Sequence, residues 1–145
     1  MHEMSRGEWW EFASAGTRTG KLGVTRKDGT PHVTPIWFLL NEADGHDELI
    51  FTTVTAGLKG KALLRDPRLC LCVDDQLPPY SFVQFTAEAS LHHDLDEMRD
   101  WATRLGGRYM GAEQAEDYGK RNADPGESLV RAKITRVVAR AGIAD

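Results

Sequence analysis

The stretch that decides the fold is Phe51–Pro67, FTTVTAGLKGKALLRDP, where a strand-like end passes into a short basic helix. Threonines and a glycine separate the two patterns, and the helical part ends at Asp66-Pro67. A helix start presents unpaired N–H groups and the positive end of the helix dipole. Hydroxyl and ammonium groups gathered there predict a seat for an anion, which we interpret as the phosphate of a cofactor.

The two lysines of this stretch, Lys59 and Lys61, are separated by one residue. In a regular helix, residues two apart point about 200° away from each other. Both lysines therefore reach one phosphate only if Lys59 lies before or within the first helical turn. The alternative is that they belong to a solvated helix face. Thr53 and Thr55 share a face of the preceding strand, and either hydroxyl can donate to a phosphate.

Length and composition fit a single domain that covers residues 1–145. Of the 145 residues, 41% are hydrophobic and 28% are charged, which is typical of a globular chain with one core. The net charge of -4 argues against nucleic acid as a partner, because a phosphate-tracking surface needs a basic excess. The longest apolar run, Ile36–Leu40, is too short to span a membrane. We expect a cytoplasmic protein without membrane or nucleic-acid partners.

Strand-like runs dominate the rest of the chain and predict a mainly β fold of the α+β class, with antiparallel strands in a barrel or sandwich. Two of the runs, Thr19–Arg26 and Pro31–Leu40, are joined by an Asp-Gly turn that favours a hairpin. Asn41–Asp47 is interpreted as a polar loop. Further strands are predicted over Glu48–Thr53, Arg68–Val73, Tyr80–Leu91 and Ser128–Ala139.

Pro35 lies within one of these runs. A proline cannot donate a hydrogen bond to a neighbouring strand, so it belongs at a sheet edge, at a bulge or beside a ligand. The surrounding segment, Thr34-Pro35-Ile36-Trp37, is therefore either backbone left open to a ligand or a plain edge strand.

Helices are predicted from capping patterns. Ser5 with Glu8 forms a capping box before a helix that ends near Gly16, and Asp94 with Glu97 forms a second one. We expect Gly106-Gly107 to end that second helix, and a more polar helix to cover 112–121.

Two other features have plain structural interpretations. Cys70 and Cys72 are expected to be buried apolar residues, because a strand holds such a pair too poorly for a disulfide. The histidines and carboxylates of 92–97 suggest metal ligands, but helix capping by Asp94 explains them better. Metal ligation is therefore not predicted.

The chain lacks the usual local signatures of catalysis. It has no Gly-x-Ser-x-Gly segment and no Gly-x-Gly-x-x-Gly after a strand, so neither a hydrolase elbow nor a Rossmann site is predicted. What remains is an anion seat, an open strand and an aromatic-rich core. This combination is typical of a protein that positions a cofactor whose own ring carries out the reaction.

Several segments resemble one family of enzymes. They are GTPHVTPIWF (29–38), FTT (51–53), KGKALLRDPR (59–68), CVDD (72–75), EWWEFA (8–13) and GGRYMGA (106–112). In this order they resemble the pyridoxamine 5′-phosphate oxidase-like flavin and deazaflavin oxidoreductases, and more narrowly their actinobacterial branch that uses the deazaflavin coenzyme F420. The similarity extends over nearly the whole chain.

The resemblance implies a split β-barrel of the FMN-binding type, with about six antiparallel strands and peripheral short helices. It also implies a homodimer with cofactor sites between the subunits. The cofactor-binding residues carried over by position are Thr34, Pro35, Ile36, Trp37, Thr52, Thr53, Lys59, Lys61, Tyr80 and Phe82. The first four would line the ring, the threonines the ribityl chain and phosphate, and the lysines the phosphate. The last two would reach across from the partner.

The implied reaction is hydride transfer from reduced coenzyme F420 to a small unsaturated or quinone-like acceptor. Two alternatives remain open: an FMN-binding oxidase or reductase, and a non-catalytic protein that binds a flavin or deazaflavin. No catalytic residue is assigned. Arg108 and Tyr109 are candidates for the substrate side, although a structural role is favoured for both.

Overall fold

The structure, a computed structural model, describes residues 1–145 and contains one antiparallel sheet of eight strands. The strands are β1 (His2–Glu3), β2 (Gly20–Thr25), β3 (Pro31–Ile36), β4 (Leu39–Ala43), β5 (His46–Val54), β6 (Arg68–Asp74), β7 (Phe82–His92) and β8 (Glu127–Ala141). Their order is β3-β2-β6-β7-β8-β5-β4, with β1 paired to β8. The predicted split β-barrel of the α+β class is confirmed.

Four α-helices surround the sheet: α1 (Arg6–Ser14), α2 (Leu58–Arg65), α3 (Leu95–Met110) and α4 (Ala115–Asn122). Helix α1 begins with the predicted capping box at Ser5, and Asp94 caps α3 by accepting a bond from the Glu97 backbone. Helix α2 packs on β2 and β5, whereas α3 lies on β5 and β8 and packs against α4. None of these helices has the length and apolar character needed to cross a membrane.

The core fills the space enclosed by the sheet. Its largest fully buried side chains include Phe38, Phe51, Phe85, Leu22 and Leu71. A smaller cluster lies beneath α3 and consists of Ile50, Met98, Trp101 and Leu129. Strand β5 contributes the middle of its length to both clusters, just before the chain turns into α2.

The hairpin of β2 and β3 is built as the Asp-Gly pattern predicts. Asp28 accepts hydrogen bonds from the backbone and hydroxyl of Thr30, and Gly29 adopts a φ of 87°. Strand β3 pairs only with β2, so Pro35 lies on an edge strand, as its missing donor requires. The other edge of β3 faces away from the sheet with its backbone groups unpaired by any strand.

The predicted strand Pro31–Leu40 is wrong in extent, because β3 ends at Ile36 and a new strand begins at Leu39. The predicted loop Asn41–Asp47 is also wrong. Most of it belongs to β4 and the start of β5, which reverse direction around Gly45. Strand β4 lies at a sheet edge, where polar residues can face water. Its polar sequence therefore resembles that of a loop.

The prediction that Gly106-Gly107 ends a helix is wrong, because α3 continues to Met110. A Cβ atom at Gly106 would lie 2.6 Å from the Cβ of Tyr118 on α4. The glycine therefore permits close packing of two helices, a tertiary requirement that overrides its low helix propensity.

The expectation that both cysteines are buried is also wrong. Cys70 is exposed and Cys72 is half-buried, and both are free thiols. The alternate residues of β6, Leu69, Leu71 and Val73, take the core-facing positions instead. The two cysteines share a face as strand geometry demands, but it is the outer face.

Candidate functional site

A cavity of about 460 Å³ opens where the ends of β3 and β5 meet the start of α2. Five of the sequence-predicted residues line it: Ile36, Trp37, Thr52, Thr53 and Lys59. Two of them are apolar, two carry hydroxyls and one is cationic. The anion seat and the open strand, which were inferred from separate stretches of sequence, thus lie on one cavity.

Close approach of α2 to the end of β5 creates this arrangement. A Cβ atom at Gly60 would lie 2.4 Å from the carbonyl oxygen of Thr55, so only glycine fits there. The helix begins after Gly57, and no side chain caps its first turn. The helix start is therefore left without a side-chain acceptor of its own, as an anion-binding end requires.

Lys59 is the second residue of α2 and lies within its first turn. Its Nζ donates to the Thr34 hydroxyl at 3.4 Å, which is its sole hydrogen bond. The Thr55 hydroxyl bonds to that of Ser128 and does not line the cavity. Of Thr53 and Thr55, only Thr53 lines this cavity, as does Thr52.

Lys61 faces a neighbouring cavity of about 630 Å³. This second cavity is lined by Arg26, Lys27, Asp28, Leu58, Lys61 and Arg65. Leu58 lines both cavities, so the two spaces adjoin. The structure thus divides the two lysines between adjacent cavities, and the prediction that both hold one phosphate stays a prediction.

Trp37 belongs to an aromatic group on the wall of the first cavity. Its ring stacks on that of Tyr109, with centroids 5.2 Å apart and planes 5° apart. The ring of Tyr118 meets it edge-on at 5.4 Å. Helices α3 and α4 therefore hold the indole in one orientation at the cavity wall.

Arg108 and Tyr109 serve the fold and leave few polar atoms for a substrate. The Arg108 guanidinium donates to the carbonyl oxygens of Ala13, Gly16 and Phe38 at 2.8, 3.0 and 2.7 Å. The Tyr109 hydroxyl donates to the Arg18 carbonyl at 2.8 Å. Burial lowers the pKa of Arg108 and raises that of Tyr109.

The remaining predicted residues lie beside or away from the cavity. Thr34 does not line the cavity, but its hydroxyl accepts a hydrogen bond from Lys59, which does. Pro35 lies between Thr34 and Ile36 on β3. Tyr80 and Phe82 line neither cavity of their own chain. Tyr80 is 45% exposed and adopts a φ of 62°, and its backbone oxygen accepts from Ile143. Their proposed reach into a partner's site stays a prediction.

Sequence reasoning missed six residues that line the first cavity: Val54, Gly57, Leu58, Leu105, Asn122 and Glu127. A glycine inside a short basic helix, at Gly60, was the available signal that α2 approaches another backbone closely. No local pattern reveals Glu127. Only the pairing of β5 with β8, which places it opposite Val54, brings it to the cavity.

Glu127 is the one carboxylate on this cavity wall. Its side chain makes no hydrogen bond and no ion pair, whereas Glu48 and Glu97 are both paired with Arg131. Burial raises the pKa of this carboxyl group, and the negative charge of Asp124 raises it further. The cavity therefore holds an acid that is easier to protonate than an ordinary glutamate.

Comparison with known proteins gives a consistent result. The family model described as pyridoxamine 5′-phosphate oxidase matches residues 11–141. None of the curated proteins matches the chain.

Solved structures share the fold. A conserved protein of Mycobacterium tuberculosis is 24% identical with a TM-score of 0.79, and the match covers 94% of this chain and 84% of that one. An F420 reductase is 22% identical with a TM-score of 0.66, covering 88% and 94%. A FAD-binding protein of Mesorhizobium loti is 19% identical with a TM-score of 0.68, covering 95% and 93%.

Proposed function

The chain belongs to the pyridoxamine 5′-phosphate oxidase family, whose model spans residues 11–141, and we propose that it is an F420-dependent oxidoreductase. In this proposal a hydride passes from reduced coenzyme F420 to a small unsaturated or quinone-like acceptor. The observation that carries it is the junction of two cavities at Leu58, one apolar and hydroxyl-lined, the other basic. A ligand whose ring and phosphate occupy the first cavity and whose anionic tail extends into the basic second cavity matches this arrangement.

The residues of the first cavity fit the ring and phosphate of such a cofactor. Ile36 and Trp37 offer an apolar wall, and the free edge of β3 offers backbone groups to the polar atoms of a ring. Lys59 and Thr53 offer an ammonium group and a hydroxyl for the phosphate. The bound cofactor supplies the hydride, while the protein binds it, orients it and excludes water.

The second cavity favours F420 over FMN. It contains four basic side chains, of Arg26, Lys27, Lys61 and Arg65, and the single acid Asp28, in a chain whose net charge is -4. FMN ends at its phosphate, whereas F420 continues into an anionic oligoglutamate tail. Concentrated positive charge next to the phosphate seat is the complement that such a tail requires.

The second candidate function is that of an FMN-binding oxidase or reductase. The seat formed by Thr53 and Lys59 is sufficient for a single phosphate, so this reading needs the first cavity alone. A non-catalytic carrier of the same cofactors has no structural observation in its favour beyond the cavity itself. It would be recognised by tight binding without turnover of any quinone or enone.

We further propose that a second copy of the chain completes the site. The rim of the first cavity exposes apolar side chains, with Val54 at 54% and Leu58 at 45%, and exposed apolar rims mark contact surfaces. The exposed Tyr80 and its neighbour Phe82 supply aromatic groups that their own cavity does not use. Light scattering should give the mass of a homodimer, and Val54→Asp should yield monomers with weakened cofactor binding.

Titration of the purified protein with F420 and with FMN tests the proposal. The chain contains four tryptophans, and Trp37 should account for most of the fluorescence quenching because it lines the ring site. A Trp37→Phe variant provides the matched control, since its quenching should fall while binding by calorimetry persists. Strong F420 binding with weak FMN binding supports the proposal. FMN binding alone supports the second candidate, and binding of neither contradicts both.

A further inference from the structure

The first cavity contains an acid that the proposed binding of a cofactor does not use. Glu127 is half-buried on its wall, opposite the end of β5. Its carboxylate has no hydrogen-bond donor and no cation bound to it, whereas Glu48 and Glu97, on β5 and α3, are both paired with Arg131. A carboxylate left without a partner on a cavity wall is available to a ligand.

The surroundings of Glu127 favour its neutral form. Asp124, in the turn before β8, is the like charge that raises the pKa of Glu127, and its side chain accepts a bond from the Gly126 backbone. Lys59 also lines the cavity, but it bonds to Thr34 and forms no ion pair with Glu127. His93, on the segment before α3, bonds to the hydroxyl of Ser128, the residue that follows Glu127. No cation therefore contacts Glu127, and an anion bound in the cavity would add a second negative charge beside it.

We propose that Glu127 is the proton donor of this site: it takes up a proton when the anionic cofactor binds and donates that proton to the substrate. This inference rests on the proposed function. The two events are linked, because a glutamate that stays ionised at neutral pH cannot act as an acid. Binding of the cofactor places negative charge near the carboxylate and so loads it with the proton that turnover consumes.

The chemistry balances with one hydride and one proton. Reduction of a C=C or C=O bond of the acceptor forms one bond to the hydride that the reduced cofactor supplies. The second bond forms to the proton from the Glu127 carboxyl oxygen, and the π bond of the acceptor breaks. Glu127 is left as a carboxylate and is reprotonated from water at the cavity mouth.

Calorimetry can measure the proton uptake without any turnover. F420, and separately FMN, is titrated into the protein between about pH 5 and pH 7 in buffers of different ionisation enthalpy. The dependence of the observed heat on the buffer gives the number of protons bound. The phosphate and ring of the cofactor contribute their own protons, so the difference between the wild type and Glu127→Gln isolates the carboxyl group.

We expect Glu127→Gln to abolish this uptake, to bind cofactor at least as tightly, and to lose activity by about 100-fold or more. Glu127→Asp keeps an acid on a shorter chain and should retain uptake with a smaller loss of activity. Glu116→Gln, on the exposed surface of α4, removes an equal charge outside the cavity and should match the wild type.

Two results would overturn the inference while the proposed function stands: cofactor binding with equal proton uptake in the wild type and Glu127→Gln, or full activity of Glu127→Gln. Binding of neither cofactor would remove the proposed function itself, and the inference with it. The pH profile adds an independent check, because the activity of the wild type should fall as pH rises and deprotonates Glu127. The residual activity of Glu127→Gln should not show this fall with rising pH.

Discussion

Lys59 lines the first cavity, and Arg108 precedes Tyr109, whose ring stacks on Trp37 at that cavity, yet the structure treats these two cations in opposite ways. Arg108 donates to three main-chain carbonyl oxygens, of Ala13, Gly16 and Phe38, at 3.0 Å or less. Lys59 has a single long bond of 3.4 Å to a hydroxyl. A cation whose guanidinium donates to several backbone carbonyls stabilises the fold, whereas one with open donors on a cavity wall is available to a ligand.

The largest expected effect is on stability, and it comes from Arg108. Arg108→Ala removes the donor of the partly buried Ala13 carbonyl and of the exposed Gly16 carbonyl, and leaves the partly buried Phe38 carbonyl with only the 3.3 Å bond from the Tyr109 hydroxyl. Unsatisfied groups of this kind should lower the free energy of unfolding by about 2–4 kcal/mol. Urea denaturation followed by circular dichroism measures the change. Arg104→Ala, which removes an exposed ion pair with Asp100 on the same helix, should cost less than about 1 kcal/mol.

If Arg108→Ala unfolds at the same urea concentration as Arg104→Ala, the hydrogen bonds to Arg108 do not carry the stability assigned to them. Arg108 would then no longer differ from Lys59 in its contribution to the stability of the fold.

Lys59 should show the reverse behaviour. Lys59→Ala removes the ammonium group from the phosphate seat and should weaken binding of both F420 and FMN by about 1–3 kcal/mol. Its urea midpoint should stay at the wild-type value, because its one hydrogen bond is long and partly exposed to water. Calorimetric titration measures the affinity, and Lys120→Ala, on the exposed face of α4, provides the charge-matched control.

An unchanged affinity in Lys59→Ala would remove the lysine from the site. A large loss of stability in the same variant would instead show that Lys59, like Arg108, stabilises the fold.

Lys61 sharpens the comparison within a single helix. Because it lines the second cavity, Lys61→Ala should weaken F420 binding and leave FMN binding unchanged. The contact is exposed to solvent, so the loss should be about 0.5–1 kcal/mol at low salt and should fade as salt screens it. Equal losses for both cofactors would indicate that Lys61 reaches the phosphate itself, as the family resemblance implies.

The sequence favours a structural role for Arg108 and phosphate binding by Lys59, but the contacts that separate the two cations could not be predicted from sequence. Local patterns give the capping box at Ser5, the hairpin at Asp28-Gly29 and the basic helix after β5, because each depends on a few adjacent residues. Whether a cation meets backbone carbonyls or an open cavity depends on contacts across the fold. The Arg108 guanidinium bonds to residues of α1 and of the segment after β3, far from it in the chain.

The same limit applies to the cavity as a whole. The resemblance and the anion pattern placed Ile36, Trp37, Thr53 and Lys59 together, and all of them line one cavity in the structure. Glu127 was missed because it reaches the cavity through strand pairing, and an acid is not expected beside an anion seat. Gly106 was misread because its packing partner, Tyr118, comes from a separate helix.

The smallest expected effect concerns the cost of holding Glu127 on the cavity wall. Its pKa is raised by burial and by Asp124, so folding disfavours its ionised form. Below the pKa of an unfolded glutamate, about 4.3, the side chain is protonated in both states and carries no penalty. As pH rises through the higher pKa of the folded state, the proton is lost and the native state becomes less stable by this term.

Glu127→Gln removes the charge and should therefore be more stable than the wild type at neutral pH. The gain should be below about 1 kcal/mol, because the side chain is half-buried and water screens its charge, and it should vanish below about pH 4. Thermal unfolding across this pH range measures it, with Glu116→Gln as the control. A destabilised Glu127→Gln at neutral pH would show that the carboxylate supports the fold as Arg108 does. If Glu127→Gln is instead more stable and takes up no proton on cofactor binding, Glu127 serves the ligand, as Lys59 does, and not the fold.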